Sequence, residues 1–170
     1  LLLSGAILIF VFEYTNPLTI GAMSLFDKIQ VSFFQSVTTR TAGFASVPQE
    51  NLTNASAAVS VILMLIGGSP VGTAGGMKTV TIAVLICSAF ATIKNQNSAT
   101  LFARRISDES VKKAVAVVVM FLTICTGSTV LILATSSAPA MDVVYETVSA
   151  TATVGLSRNF TATLNEFGKL

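Results

Sequence analysis

Two short tracts of threonine, small residues and one glycine have the residue types and spacing to do chemistry in this sequence. They are Thr41-Ala42-Gly43 and Thr153-Val154-Gly155. Successive backbone carbonyl oxygens of such a tract can replace the hydration shell of an alkali cation. Glycine permits the unusual φ that lets neighbouring carbonyls point the same way, and small side chains let the backbone approach an axis. The pattern predicts a site for an alkali cation made of backbone carbonyl oxygens.

The elements that must position these tracts are short. Each tract follows a moderately amphipathic stretch, residues 25–37 and 141–150. Both are shorter than the roughly 20 residues that a membrane-spanning helix needs. Non-helical backbone at membrane depth is tolerated only where it is buried in protein or lines an aqueous cavity. A short helix that stops at a Thr-Gly tract would aim its negative C-terminal end at a cation, so we predict two pore loops.

The two tracts belong to an internal repeat. Aligning their glycines gives an offset of 112 residues, which pairs Thr41 with Thr153 and Phe33 with Tyr145. Each unit has an apolar span, a turn with proline, a short amphipathic helix and the tract.

The segment 55–93 is apolar but interrupted. As one helix it would reach about 58 Å, nearly twice a hydrocarbon core of about 30 Å. Its centre, 67–76, holds five glycines and one proline and cannot be a regular helix. A broken helix that binds a solute is one interpretation. A phosphate loop is disfavoured because Met77 separates Gly76 from Lys78. Lys78 is either a functional charge or a lysine that caps loop carbonyls.

Composition indicates a membrane protein. Of 170 residues only 11% are charged, 52% are hydrophobic and the mean hydropathy is +0.78. Without histidine there is no Ser-His-Asp triad and no histidine metal site, and a net charge of +2 does not favour nucleic acid. Residues 114–134 form a clean span. Residues 94–113 hold half of the Lys and Arg residues, which predicts a cytoplasmic loop.

Two charged side chains near the tracts are given structural roles. Arg40 in a cation pathway would repel the ion. We therefore expect it to point away and to pair with Glu50 or Asp27. Glu146 is expected to brace the second tract.

The chain resembles the C-terminal half of the membrane subunit of the Ktr/Trk/HKT superfamily of potassium transporters, and within it the KtrB type. The resemblance rests on SVTTRTAGF (36–44), GGSPVGTAGGMKT (67–79) and SATATVGLS (149–157), in that order and spacing. It implies an all-α polytopic membrane protein with helix–pore-loop–helix repeats around a potassium-channel-like pore. Residues 1–93 would be the third repeat, 94–113 a cytoplasmic basic loop, and 114–170 the fourth repeat without its final helix. We therefore expect a part of a longer protein.

The resemblance also implies a function. The protein would take up potassium across the cytoplasmic membrane of a bacterium, with sodium as a possible stimulating ion, and would not be an enzyme. The filter residues would be Thr41, Ala42, Gly43, Thr153, Val154 and Gly155. An intramembrane gating loop would comprise Gly67, Gly68, Ser69, Pro70, Gly72, Thr73, Gly75, Gly76 and Lys78. Implied partners are the lipid bilayer, a second copy of the subunit and a cytoplasmic nucleotide-binding regulatory ring of the KtrA type.

Two other classes of function stay open from the residues alone. A secondary transporter would use the broken helix to bind another solute. A membrane scaffold without transport would tolerate substitution of both tract glycines.

Overall fold

The computed structural model describes residues 1–69, 74–94, 100–101 and 104–159. This part of the chain is mostly helical. Its helices are α1 (Leu2–Glu13), α2 (Leu25–Thr38), α3 (Asn54–Leu65), α4 (Thr79–Ile93), α5 (Asp108–Thr135) and α6 (Ala140–Thr151), with a 3₁₀ turn at Gln49–Asn51. These bounds agree with the predicted stretches to within a few residues, except that α5 begins six residues before the predicted span.

Local signals explain where several helices begin. Ser24, Thr53 and Ser107 each accept a hydrogen bond from a backbone N–H of the first turn of α2, α3 and α5. A hydroxyl at this position satisfies one of the donors that a helix start leaves unpaired. Helix α1 ends just before Asn16 and Pro17, because proline disfavours helix in the residue before it.

The predicted cytoplasmic loop contains some regular structure. Strands β1 (Thr100–Leu101) and β2 (Arg104–Arg105) pair antiparallel, so residues 94–113 are not entirely irregular. Two strands of two residues each leave the described part of the chain consistent with the predicted all-α class.

One described helix, α5, is long and apolar enough to cross a membrane. Most of its apolar side chains are exposed, as expected of a surface that faces lipid. The hydroxyls of Thr123 and Thr126 in α5 are paired, since each donates to the carbonyl four residues earlier. Helices α1, α3 and α4 are apolar but shorter.

Packing joins the two units of the repeat. In the first unit α1 lies against both α2 and α3, while α6 of the second unit packs between α3 and α5. Glu13 fixes the end of α1, because its buried carboxylate accepts hydrogen bonds from Asn16, Thr19 and the backbone and hydroxyl of Thr53. The main apolar core lies between α3, α5, α6 and the second tract.

Candidate functional site

The first Thr-Gly tract leaves the end of α2 as a tight loop. The Thr38 carbonyl accepts hydrogen bonds from the N–H groups of Ala42 (3.2 Å) and Gly43 (3.3 Å). The Thr38 hydroxyl donates to the carbonyl of Phe44 (2.7 Å) and accepts from its N–H (2.8 Å). Thr41 and Gly43 take left-handed φ angles of 67° and 75°. The carbonyl and hydroxyl groups of Thr38, the last residue of α2, therefore hold the tract as a tight loop.

The second tract leaves α6 in a similar way. The Ser149 carbonyl accepts from the N–H of Val154 (2.8 Å), and the Ser149 hydroxyl donates to the carbonyl of Leu156 (2.6 Å). Thr153 and Gly155 have φ angles of 56° and 87°. The left-handed residues thus fall at the same two positions in both tracts, at the offset of 112 residues that the alignment of the glycines gives. Threonine enters this region at a cost of roughly 1–2 kcal/mol, and such strain clusters at functional sites.

The structure brings the two tracts together at their glycines. A Cβ atom built on Gly43 would overlap the Val154 carbonyl oxygen and would lie 3.6 Å from the Cα of Gly155. A Cβ atom on Gly155 would lie 3.9 Å from the Cα of Gly43. Residues that are far apart in the sequence therefore bring their backbones into close contact, with the Val154 carbonyl oxygen next to Gly43. Only glycine permits this approach at position 43.

The interrupted segment between α3 and α4 folds back on itself. The N–H of Met77 donates to the carbonyl of Leu65 (3.1 Å), and the N–H of Thr79 donates to that of Gly68 (3.3 Å). The described parts of the segment, 67–69 and 74–78, are non-helical, as predicted. Of the predicted gating residues, Pro70, Gly72 and Thr73 lie outside the described residues.

The returning arm of this segment lies against the second tract. A Cβ atom on Gly75 would overlap the Thr153 hydroxyl and the Ala152 carbonyl oxygen. Gly76 has a left-handed φ of 68°. The Lys78 ammonium donates to the carbonyl of Ala74 at 2.5 Å. Of the two roles considered for Lys78, this contact favours the lysine that caps a loop carbonyl.

Arg40 does not have the predicted carboxylate partner. Its Nε and one terminal nitrogen are buried without a hydrogen-bond acceptor in the part of the chain that the structure describes. Asp27 instead accepts from the Ser24 hydroxyl, and Glu50 contributes its backbone carbonyl to Arg158. The expected pairing was therefore wrong: Arg40 follows the end of α2, and in the described part of the chain neither Asp27 nor Glu50 forms an ion pair with it.

Charged side chains stabilise the residues that follow the second tract. Glu146 accepts from the Ser157 hydroxyl (2.5 Å) and from the Arg158 N–H (3.1 Å), which agrees with its predicted role. Arg158 forms an ion pair with Asp142 (2.7 Å) and lies over the Tyr145 ring. Sequence reasoning missed Arg158, since nothing local to that position marks it.

Comparison with known proteins points to cation transport. The TrkH family, described as "Cation transport protein", matches residues 2–170. The Ktr system potassium uptake protein B of Vibrio alginolyticus is 36% identical over 99% of this chain and 37% of its own length. The protein of the same name from Bacillus subtilis is 36% identical over 95% of this chain and 36% of its own. The potassium/sodium uptake protein NtpJ of Enterococcus hirae is 32% identical over 100% and 39%. The chain thus spans less than two fifths of these curated relatives.

Proposed function

Because this chain belongs to the TrkH family of cation transport proteins, we propose that it forms part of a pathway for potassium uptake. The family consists of membrane transporters and not of enzymes, so the expectation of a non-enzymatic membrane protein is confirmed. Two of the relatives are named for potassium uptake and one for potassium and sodium. Potassium is therefore the proposed ion, with sodium as the second ion to test.

The backbone of the two tracts carries this proposal. Thr41 and Thr153, and likewise Gly43 and Gly155, share the left-handed conformation, and the glycines approach each other closely. In the proposed site the carbonyl oxygens of residues 41–43 and 153–155 take the place of the ion's water. A single glycine per tract gives a looser filter than a full potassium-channel sequence. Two tracts do not surround an ion, so the remaining oxygens would come from the rest of the protein.

The interrupted segment is proposed as the gate. Its returning arm touches the second tract through Gly75, and Lys78 holds the carbonyl of Ala74. A loop packed under a filter tract can obstruct ions while it stays there. It would release them when it moves. The alternative, an organic solute bound by the broken helix, has less support because the family transports cations.

The partners proposed are a second copy of the subunit, a nucleotide-binding regulatory ring on the cytoplasmic side, and the bilayer. The basic segment 94–113 would lie on the face that meets the ring. Co-purification of the membrane subunit with and without charge reversal at Lys112 and Lys113 tests this assignment. Loss of the ring on charge reversal is expected, and retention would place the contact elsewhere.

Potassium uptake by the complete gene product in uptake-deficient bacteria is the decisive test of the filter. Wild type should restore growth at low potassium, and Gly155→Ser should lower the preference for potassium over sodium. Gly127→Ser is the matched control, because a Cβ on Gly127 of α5 would meet no atom within 4 Å. If Gly155→Ser behaves like Gly127→Ser, the tract is not the filter. If wild type transports no potassium with its regulator present, the pathway itself is refuted.

Gly75→Ala tests the gate separately. The added methyl group overlaps the Thr153 hydroxyl and the Ala152 carbonyl oxygen, so the returning arm and the end of α6 must separate. We expect potassium uptake to become less dependent on the regulator, while the preference for potassium is kept. A variant whose uptake still follows the regulator as wild type does would contradict the gating role.

A further inference from the structure

A buried polar cluster connects the two short helices behind the tracts. Its members are Gln35 on α2, Gln49 in the 3₁₀ turn and Tyr145 on α6, which are 1%, 2% and 0% exposed. The Gln35 amide nitrogen donates to the Gln49 side-chain oxygen at 2.5 Å. The Tyr145 hydroxyl donates to the same oxygen at 2.9 Å. One amide oxygen therefore bonds to both helices.

The Gln49 side chain has its full set of hydrogen bonds. Its nitrogen donates to the Val47 carbonyl (2.7 Å) and to the Gln35 side-chain oxygen (3.3 Å), while its oxygen accepts the two bonds described above. An amide offers two donors and two acceptor sites, so none is left over. A buried polar network in which every hydrogen bond is formed is rigid. Removing one partner leaves a buried polar group without a hydrogen bond, which strongly destabilises the fold.

The cluster lies one helical turn behind the residues that close the tracts. Gln35 precedes Thr38 by three residues, and its carbonyl accepts the Thr39 N–H (3.3 Å). Tyr145 precedes Ser149 by four residues. In a helix such separations place side chains on the same face. The positions of Thr38 and Ser149 therefore follow any shift at Gln35 and Tyr145.

We propose that Gln49 is a positioning residue which fixes the separation of α2 and α6, and through it the approach of the two Thr-Gly tracts. The inference rests on the proposed function, because it makes ion preference depend on a residue that touches no ion. Gln49 lies in the connection between α2 and α3, so the connection itself sets the geometry of the filter.

A second contact keeps the 3₁₀ turn in place. Arg158 lies over the ring of Tyr145, with 5.8 Å between guanidinium carbon and ring centroid, and donates to the Glu50 carbonyl at 3.4 Å. Glu50 is the next residue after Gln49. The turn is therefore held both from α6 and from the residue that follows the second tract.

Tyr145→Phe in the complete gene product is the first test. It removes only the hydroxyl that reaches Gln49 and keeps the ring that fills the core. We expect the preference for potassium over sodium to fall about fivefold, as for a hydrogen bond of about 1 kcal/mol. Maximal potassium uptake per molecule in the membrane should stay the same. Tyr14→Phe is the matched control, since Tyr14 is 47% exposed at the end of α1.

The double variant Gln35→Leu/Gln49→Leu guards against a simple folding defect. The two leucines are introduced in the Tyr145→Phe background, because otherwise the buried Tyr145 hydroxyl would lose its acceptor. Replacing all the side-chain partners by apolar groups of similar shape can be nearly neutral for stability, whereas Gln49→Leu alone leaves buried groups unpaired. We expect the double variant to reach the membrane at wild-type levels and still to lose ion preference.

The outcomes separate the inference from the proposed function. If Gly155→Ser lowers the preference but Tyr145→Phe and the double variant match Tyr14→Phe, the positioning role is wrong and the filter stands. If the wild-type protein has no preference for potassium, the proposed function fails first. A drop in membrane amount that fully accounts for the loss of uptake, with preference unchanged, also overturns the inference.

Discussion

The second tract buries alternate residues in the core, whereas the first tract leaves the equivalent residues at the surface. Val154 and Leu156 are 4% and 2% exposed and belong to the core around α3. Their counterparts at the offset of 112 residues, Ala42 and Phe44, are both exposed, and Phe44 is 70% exposed. The backbones are nevertheless alike at the left-handed positions.

The difference shows that conformation and burial of these loops have separate causes. In the first tract a single side chain, Thr38, forms two hydrogen bonds to Phe44, and this local closure needs no packing partner. In the second tract Ser149 makes one bond to Leu156, and core packing together with Glu146 supplies the rest. The same loop shape is thus stabilised mainly by hydrogen bonds in one unit and mainly by burial in the other.

The largest expected effect separates the two glycines. Gly43→Ala should reduce potassium uptake at least about tenfold, because the new methyl group overlaps the Val154 carbonyl and adds left-handed strain of roughly 1–2 kcal/mol. Gly155→Ala adds the same left-handed strain at φ 87° but has room, with its nearest neighbour 3.9 Å away, and should lose only part of its ion preference. Uptake kinetics for both variants check this order. Equal losses would show that space at Gly43 does not matter.

The next effect concerns burial. Leu156→Ala should lower the free energy of unfolding by about 2–5 kcal/mol, as for other buried leucines. Phe44→Ala should change it by only about 0.5 kcal/mol, as for an exposed site. Unfolding of the purified protein in detergent, by heat or denaturant, measures both. A large effect at Phe44 would reveal that another part of the protein covers the first tract.

A smaller effect should distinguish the hydroxyls that close the tracts. Thr38→Val removes two hydrogen bonds and should destabilise the first tract by about 2 kcal/mol, against about 1 kcal/mol for Ser149→Ala in the second. Amide hydrogen exchange at Phe44 and at Val154 reports each tract on its own. If exchange at Val154 in Ser149→Ala is faster than exchange at Phe44 in Thr38→Val, the second tract depends more on its closing hydroxyl than the first. That result would contradict the conclusion that hydrogen bonds stabilise the first tract and core packing the second.

The smallest effect is expected at the charged brace. Glu146→Gln keeps an acceptor but loses the charge, so the bonds to Ser157 and Arg158 should weaken by about 1 kcal/mol. The equivalent position in the first unit is Phe34, which is exposed and has no comparable charge. Phe34→Leu is therefore the matched variant and should leave stability unchanged. Equal shifts in thermal midpoint would show that charge at position 146 is irrelevant.

Much of the local structure could be predicted from the sequence. Residue types alone predict that α1 ends before Pro17 and that α3 ends before the glycine-rich segment 67–76. They also predict the pairing of the two tracts at an offset of 112 residues. Left-handed φ angles at Gly43 and Gly155 are easy for glycine. Those at Thr41 and Thr153 could not be predicted, because threonine disfavours them and the hydrogen bonds and core packing that hold the two tracts are not visible in the sequence.

Contacts between residues that are distant along the chain could not be predicted from the sequence. Arg40 was expected beside Glu50 or Asp27, but its charge alone does not say which groups its side chain meets in the fold. Gln49 looks like an ordinary loop residue, yet it meets residues 14 and 96 positions away.

The sequence by itself determined the approximate bounds of the helices and the positions of the two Thr-Gly tracts that follow α2 and α6, because periodicity, prolines and glycines act over a few residues. It also determined the family, because the motifs that identify it are recognised by their order and spacing along the chain. Only the tertiary structure decided which tract is buried, that the two glycines meet, and that Gln49 joins α2 to α6. Burial and close approach depend on neighbours that are distant along the chain, and the packing of the helices decides which residues become neighbours.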